Sequence, residues 1–350
     1  MNPLEGLRLV EFEGIGPTPM VGRILADLGA EVTLIARPQA PQAVRALGGE
    51  GVDTLRHGKR VVTIDLKTRD GVRAALDLVA AADGLIEGQR PGVMERLGLG
   101  PEACAAVNSR LVYARMTGWG QTGPLAQAAG HEINYVALSG MLSIAAHRDG
   151  VPVLPVSVLG DAGGALGVAL GLVCGVLRAR ASGQGCVVDG AVLEVVAMLG
   201  NLAHWLRACG QLDGERPSPF VDSPFYGAYR CADGKFISLA AVEPSFYAEL
   251  LRRLDLSDVD AAAQYDSAAW PALRQRFERL FAQQPQRHWC DRLEGSDACF
   301  APVLGMREAM DHPHNRARGV FRIDEGGGLR IAPAPRFTPL VDTVVPGANV

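Results

Sequence analysis

Three side chains stand where proton chemistry can be built. His131 falls in Gly130-His131-Glu132-Ile133-Asn134-Tyr135, just past a strand that runs into the glycine-rich loop Met116-Thr117-Gly118-Trp119-Gly120-Gln121-Thr122-Gly123-Pro124. An imidazole near its ordinary pKa can take or return a proton around neutral pH, and at a helix start the same residue can serve instead as a hydrogen-bonded terminus. Asp161, in Val158-Leu159-Gly160-Asp161-Ala162-Gly163-Gly164, directly precedes a long apolar run. That position predicts an N-cap, whose helix amides would orient the carboxylate and favour its charged form. Glu243 sits between Leu239-Ala240-Ala241-Val242 and a stretch opening with Pro244. Alone it reads as a helix-start carboxylate; facing His131 across a domain boundary, it would orient the ring and stabilise the imidazolium.

The elements that must position these residues alternate along the chain. Residues 7–12 and 31–36 read as strands around a helix at 20–28, followed by a strand at 61–65, a helix at 71–82 and strands at 84–87 and 111–117. This alternation predicts a parallel sheet covered by helices, with ligands gathering beyond the carboxyl ends of its strands. A long apolar helix is expected at 162–180, where Gly163, Gly164, Gly167, Gly171 and Gly175 permit close approach of another backbone. A core strand at 186–189, a helix at 191–207 and a linker at 214–219 come next. Strands at 229–231 and 235–241 flank Asp233-Gly234 as a hairpin that opens a second domain. Helices at 244–254, 270–281 and 288–294 follow, and short extended pieces are expected after Pro313.

Composition narrows the function classes. The chain has 350 residues, more than the roughly 250 that one core usually supports, so two domains are expected. A content of 48% hydrophobic and 21% charged residues places it among compact proteins, and a net charge of -4 argues against a nucleic-acid partner. The uncharged run 162–177 falls short of the roughly 20 residues a membrane crossing needs, so a buried helix and no membrane partner are expected. Met1-Asn2-Pro3-Leu4-Glu5 lacks the basic and apolar segments of a secretory signal, which predicts a cytoplasmic protein. The seven cysteines form no CxxC pair and read as small apolar packing residues. His312-Pro313-His314 reads as a structural surface turn rather than a metal site, and no metal is expected. Dinucleotide binding also loses ground. Gly14-Ile15-Gly16-Pro17-Thr18-Pro19 lacks the full glycine fingerprint, and the second strand ends in Arg37 where an NAD site needs an acid.

Taken in order, several motifs resemble the class III coenzyme A transferase superfamily, specifically its α-methylacyl-CoA racemase branch. They are the opening 14–19 and Leu25-Ala26-Asp27-Leu28-Gly29-Ala30-Glu31-Val32, Glu87-Gly88-Gln89-Arg90-Pro91-Gly92-Val93, residues 115–124, and Gly130 to Tyr135. Gly160-Asp161, Asp233-Gly234-Lys235, Glu243-Pro244 and His312-Pro313-His314-Asn315 extend the likeness over nearly the whole chain. The resemblance implies an α/β fold with a Rossmann-like large domain and a smaller α/β domain, in an interlocked homodimer whose active sites lie between domains of different subunits. It divides the chain into a large CoA-binding domain at 1–190, a linker helix and connection at 191–225, a small domain at 226–315, and a segment at 316–350 that returns to complete the large domain.

The resemblance also implies the roles. His131 and Asp161 become the two proton-transfer residues, acting on the 2S and 2R faces of an acyl-CoA thioester, and Glu243 supports the histidine. Coenzyme A contacts fall to Arg37, Asp65, Leu66, Lys67, Gly88, Gln89, Arg90 and Arg96. Coenzyme A is then part of the substrate, and no separate cofactor is implied. The alternative within the superfamily is CoA transfer to a carboxylate acceptor, with Asp161 as nucleophile; the histidine motif favours racemisation. Only Met141 and Met198 stand near the motifs as candidates for a flexible acyl lining, and Met198 reads rather as core.

Overall fold

Short runs of Val, Leu and Ile buried on both faces have no polar side to show to water, and such runs form parallel sheets. The four central strands of a six-stranded sheet are mostly buried in this way, β1 (Arg8–Phe12), β2 (Glu31–Ala36), β4 (Gly84–Glu87) and β5 (Val112–Thr117), while the edge strands β3 (Lys59–Thr63) and β6 (Cys186–Ala191) are partly exposed. All pair in parallel in the order β3-β2-β1-β4-β5-β6. The order reverses between β1 and β4, which opens a crevice at their carboxyl ends. This computed structural model describes residues 1–39, 54–145, 150–212, 216–323 and 328–340; residues 214–215 of the predicted linker and the tail 341–350 lie outside that set. The chain divides into two compact units, Met1–Gly200 with Arg322–Val350, and Asn201–Phe321.

In the first unit the crossovers are α1 (Pro17–Asp27), α2 (Arg69–Ala80), and the short α3 (Val93–Arg96) and α4 (Pro101–Val107). Pro17 occupies the first turn of α1, where a missing N–H costs nothing, so the helix starts earlier than the predicted residue 20. A fully buried ion pair ties this helix to the sheet. Lys59 Nζ on β3 lies 2.7 Å from Glu11 Oε2 on β1, and it also donates to the Pro19 carbonyl of α1 at 2.8 Å. Gly22 makes room for the pair, because a Cβ there would fall 1.7 Å from Glu11 Oε2.

α5 (Glu132–Leu138) and the long α6 (Gly163–Ser182) follow β5. The expected close approach is present: a Cβ on Gly175 would meet Val112 Cγ1 of β5 at 2.7 Å. The expectation of a buried helix holds for one face only. Ala165, Val168, Leu172 and Val176 are buried on the sheet side, whereas Leu166, Leu170 and Leu177 are 56%, 59% and 63% exposed. The stretch Val158–Ser182 is apolar and long enough for a membrane crossing by composition, with a mean hydropathy of 1.7. Its inner face instead packs on β5, β6 and α1. The single helix predicted at 191–207 is two, α7 (Val192–Leu199) and α8 (Asn201–Ala208), separated at Gly200.

The second unit forms around an antiparallel sheet of β7 (Tyr226–Arg230), β8 (Phe236–Ala240) and β9 (Phe300–Val303). Its hairpin turns at Asp233-Gly234, where Gly234 takes φ 79 and the Cys231 N–H donates to the Lys235 carbonyl at 2.8 Å. α9 (Pro244–Arg253), α10 (Trp270–Phe281) and α11 (Gln286–Leu293) bury Tyr247, Leu250, Phe277, Phe281 and Trp289 with Tyr229 and Ile237 of the sheet. Phe281 and Trp289 meet edge-on with centroids 4.9 Å apart, and Trp289 Nε1 donates to the Phe281 carbonyl at 3.1 Å, so the indole is buried without losing its hydrogen bond. α12 (Met306–Asp311) and α13 (Pro313–Ala317) then replace the turn and extended start expected near His312. Pro313 begins α13 from its first position, and His312 Nε2 pairs with Glu294 at 2.7 Å.

Candidate active site

The first part of the site is a cavity of about 600 Å³ beyond the carboxyl ends of β1, β2, β3 and β4. Arg37, Asp65, Leu66, Lys67 and Gln89 line it; Gly88, Arg90 and Arg96 do not. Gly88 packs instead against the start of α1, since a Cβ there would overlap Thr18 Oγ1 at 2.0 Å, and Arg90 and Arg96 are exposed on the chain that follows β4. The cavity pairs apolar walls from Phe12, Ile35 and Met94 with the cations of Arg37 and Lys67 at its mouth. Such a surface suits a ligand with a flat or apolar body and anionic groups.

Two carboxylates given no role from sequence shape this cavity. Glu13 Oε2 accepts the Arg37 N–H at 2.9 Å, and its Oε1 pairs with Arg56 at 2.5 Å, so one acid fixes the backbone that carries a lining cation. Glu87 is fully buried; its Oε2 accepts the Gln89 N–H at 2.6 Å, and its Oε1 accepts from Arg115 Nε at 3.0 Å. Burial pushes the Glu87 carboxyl up, opposed by that amide and by Arg115. An acid inside or ending an apolar strand, as in Val10-Glu11-Phe12-Glu13 and Leu85-Ile86-Glu87, is the signal that points to such anchors, because a buried charge must be paired.

The second part gathers where β5 ends. His131 is the N-cap residue of α5; its N–H donates to Asn134 Oδ1 at 3.0 Å, which gives the expected hydrogen-bonded helix start and leaves the residue exposed. Trp119 and Tyr135 stack edge-on behind it, with centroids 4.7 Å apart, and the Tyr135 hydroxyl donates to the Gly130 carbonyl. Asp161 is half-buried, and its Oδ2 accepts from Ser157 Oγ at 3.3 Å. It is not the N-cap predicted from sequence. The cap position of α6 belongs to Ala162, and Asp161 lies inside a single π-helical turn, Val158–Ala162.

The Asp161 carboxyl is also shifted against the direction that a helix N-cap would give. Burial and then the neighbouring Glu132 carboxylate hold its carboxyl above the ordinary aspartate range, opposed by the Ser157 hydroxyl and by His131. The same unit therefore brings His131 and Asp161 within each other's electrostatic reach. Burial, followed by the charge of Asp161, raises the Tyr135 phenol as well. Glu243 stands in the second unit at the N-cap of α9, exposed, where its charge contributes to raising the Tyr265 phenol and the Cys299 thiol behind the burial of each. Of the two methionines, Met141 is buried while Met198, expected in the core, is 48% exposed.

A six-stranded parallel sheet in this order, with a mixed apolar and cationic cavity at its switch point, defines a doubly wound α/β protein of the Rossmann-like kind. The pattern described as CoA-transferase family III matches residues 4–344, and the chain belongs to that family. It is 40% identical to the α-methylacyl-CoA racemase of Mus musculus, over 99% of this chain and 89% of that protein. It is 37% identical to the α-methylacyl-CoA racemase of Homo sapiens, over 95% of this chain and 86% of that protein. A CAIB/BAIF family protein from Brucella suis shares the fold with a TM-score of 0.82 at 24% identity, over 96% of this chain and 93% of that one.

Proposed function

We propose that the chain interconverts (2R)- and (2S)-2-methylacyl-CoA by moving the proton on carbon 2, with Asp161 and His131 on opposite sides of that carbon. The observation that carries the reading is the condition of Asp161, a half-buried carboxyl with raised proton affinity in reach of an imidazole. A racemase base must take a proton from carbon and also stand as an acid on the return step, and a carboxyl held above its usual range is both the stronger base and the more readily kept in its acid form. The names of the relatives at 37–40% identity support the same chemistry.

From the 2R epimer, Asp161 takes the α-proton and the C–H electron pair moves onto the thioester carbonyl oxygen as an enolate. The imidazolium of His131 then protonates the planar carbon from the other face, leaving a protonated Asp161 and a neutral His131. The 2S epimer runs the same steps in reverse, so the two titrations belong to the pair. Glu243 is assigned to orienting the imidazole. Coenzyme A is the carrier half of the substrate, with Arg37 and Lys67 at the sheet-edge cavity and Arg90 and Arg96 beyond it as partners for its phosphates. No separate cofactor enters these steps. A homodimer is part of the reading, supported by the exposed Leu166, Leu170 and Leu177 row, and so is a cytoplasmic setting, supported by seven cysteines that are all free thiols.

The test is one 2-methylacyl-CoA epimer incubated with the protein in deuterated water and followed by proton NMR. Loss of the α-proton signal together with appearance of the other epimer is expected, with no acceptor acid present. Thioester exchange that requires a free carboxylate, without α-deuteration, replaces this reading with CoA transfer through Asp161.

A further inference from the structure

The turn that carries Asp161 is irregular and has no cap of its own. Ser157 enters it with φ 61, a left-handed conformation that a non-glycine residue adopts at a cost, and no side-chain cap closes either end. The Ala162 N–H reaches back five residues to the Ser157 carbonyl at 3.1 Å. Single π-helical turns of this kind gather at functional sites and need outside support.

The support comes from 29 residues upstream, where Glu132, the first residue of α5, is only 9% exposed. Its Oε1 accepts the N–H of Gly160 at 2.8 Å and that of Asp161 at 3.3 Å, and its Oε2 accepts the N–H of Ser157. Gly160 is fitted to this contact, because a Cβ there would fall 2.5 Å from Glu132 Cγ. One carboxylate thus satisfies three backbone donors of the turn, two of them at or beside the proton-transfer residue.

We propose that Glu132 is a positioning residue of the reaction: by clamping the Ser157, Gly160 and Asp161 amides, it fixes where Asp161 presents its carboxyl group to the α-carbon. The inference rests on the racemase reading and adds a residue to it. The clamp has a second consequence, since the charge it brings beside Asp161 opposes a second carboxylate there. The polar and charged groups acting on or beside Asp161 are Ser157 from its own turn and His131, Glu132 and Tyr135 from α5 or its cap; α1 presents uncharged Gly16, whose added Cβ would lie 3.7 Å from Asp161 Oδ2.

The experiment compares wild type, Glu132→Gln and Glu132→Asp by kcat, KM and the pH profile of 2R turnover. The amide of Glu132→Gln removes the charge and turns a donor toward one of the turn's N–H groups. Its kcat is expected to fall about 10- to 100-fold with KM held within about threefold, as a misplaced base behaves. Its acidic limb should move down by about half to one pH unit, because Asp161 then ionises more easily. Glu132→Asp, which keeps the charge, should leave the limb in place and recover most of kcat. A Glu132→Gln enzyme within about twofold of wild type with an unmoved limb overturns the inference, as do equal losses in both variants with neither limb moved.

Hydrogen exchange in the wild-type protein decides the matter where a variant does not fold. The Gly160 and Asp161 amides should exchange together, about 100-fold or more slowly than those of exposed residues 151 and 156, and exchange at the exposed rate overturns the clamp. A wild type that holds this protection but never deuterates carbon 2 removes the racemase reading and leaves the clamp standing.

Discussion

Replacing Lys59 by methionine tests whether the buried pair with Glu11 holds the floor of the site. Both side chains are 0% exposed, and Lys59 Nζ donates to Glu11 Oε1 at 2.9 Å, to Glu11 Oε2 at 2.7 Å and to the Pro19 carbonyl at 2.8 Å. Methionine fills much of the lysine stem's volume, so the loss is mainly electrostatic. Removing one partner of a buried ion pair costs about 3–5 kcal/mol, and in a unit of this size each kcal/mol lowers Tm by about 2–4 °C. Lys59→Met should therefore lower the melting temperature by about 6–20 °C in calorimetry. The double variant Glu11→Leu with Lys59→Met removes the other buried charge of the pair as well and should regain at least about half of that loss. The Pro19 carbonyl loses its lysine donor in both, so recovery should stop short of wild type by about 1 kcal/mol. Because Pro19 lies in the first turn of α1, whose cap Gly16 lies against Asp161, activity should follow stability in the single variant. A Lys59→Met protein that melts within about 2 °C of wild type refutes the reasoning, since a lysine lost from a solvated pair costs that little.

Four shorter expectations follow from the site. His131→Ala should cut epimer conversion about 100-fold or more in the NMR assay while leaving calorimetric binding of a nonreactive thioester intact. Asp161→Asn should leave His131 able to deuterate the 2S epimer without inverting it; because the folded carboxyl is raised, its contribution to stability is present below the unfolded pKa and lost as pH rises through the folded one. At pH 7 the ionised Asp161 thus costs stability, and the inactive Asn variant should melt higher than wild type. In 2R turnover, where Asp161 must be ionised, the acidic limb of kcat/KM should lie above 3.8, with about a tenfold loss per pH unit below it. Lys67→Ala should raise KM for acyl-CoA about tenfold at low salt with little change in kcat, and the gap should narrow as salt is added.

Much of the first unit was legible because buried parallel strands write themselves as apolar runs. β4 fell on its predicted residues, β1, β2, β5 and β6 lie within two residues of theirs, and α10 matched throughout. Elements too short to show a period were not legible, and α3 with 4 residues and α4 with 7 are of that kind. The helix expected at 191–207 hid a break at Gly200, where a Cβ would strike Met141 Sδ at 2.4 Å; the break answers a tertiary neighbour rather than a local preference. Pro313 was read as the end of helical structure when it begins α13, since proline is as acceptable at the first position of a helix as after the last. His131 and Asp161 could be singled out by type and context, but the turn around Asp161 could not, because it is shaped by Glu132 and has no periodicity of its own.

A raised carboxyl does not by itself mark the reacting residue in this protein, as a comparison of two acids shows. Burial lifts Glu87 as it lifts Asp161. Glu87, however, meets a backbone amide at 2.6 Å and the Arg115 guanidinium at 3.0 Å and is wholly enclosed, so its charge is paired and no substrate can reach it. Asp161 is half-exposed, its oxygen receives a hydroxyl at 3.3 Å, and its nearest acidic influence raises it further. The difference lies in where the compensating donors went. At Asp161 the nearby backbone N–H groups of Ser157, Gly160 and of Asp161 itself are all taken by Glu132, which leaves the aspartate carboxyl under-solvated, accessible and free to exchange a proton.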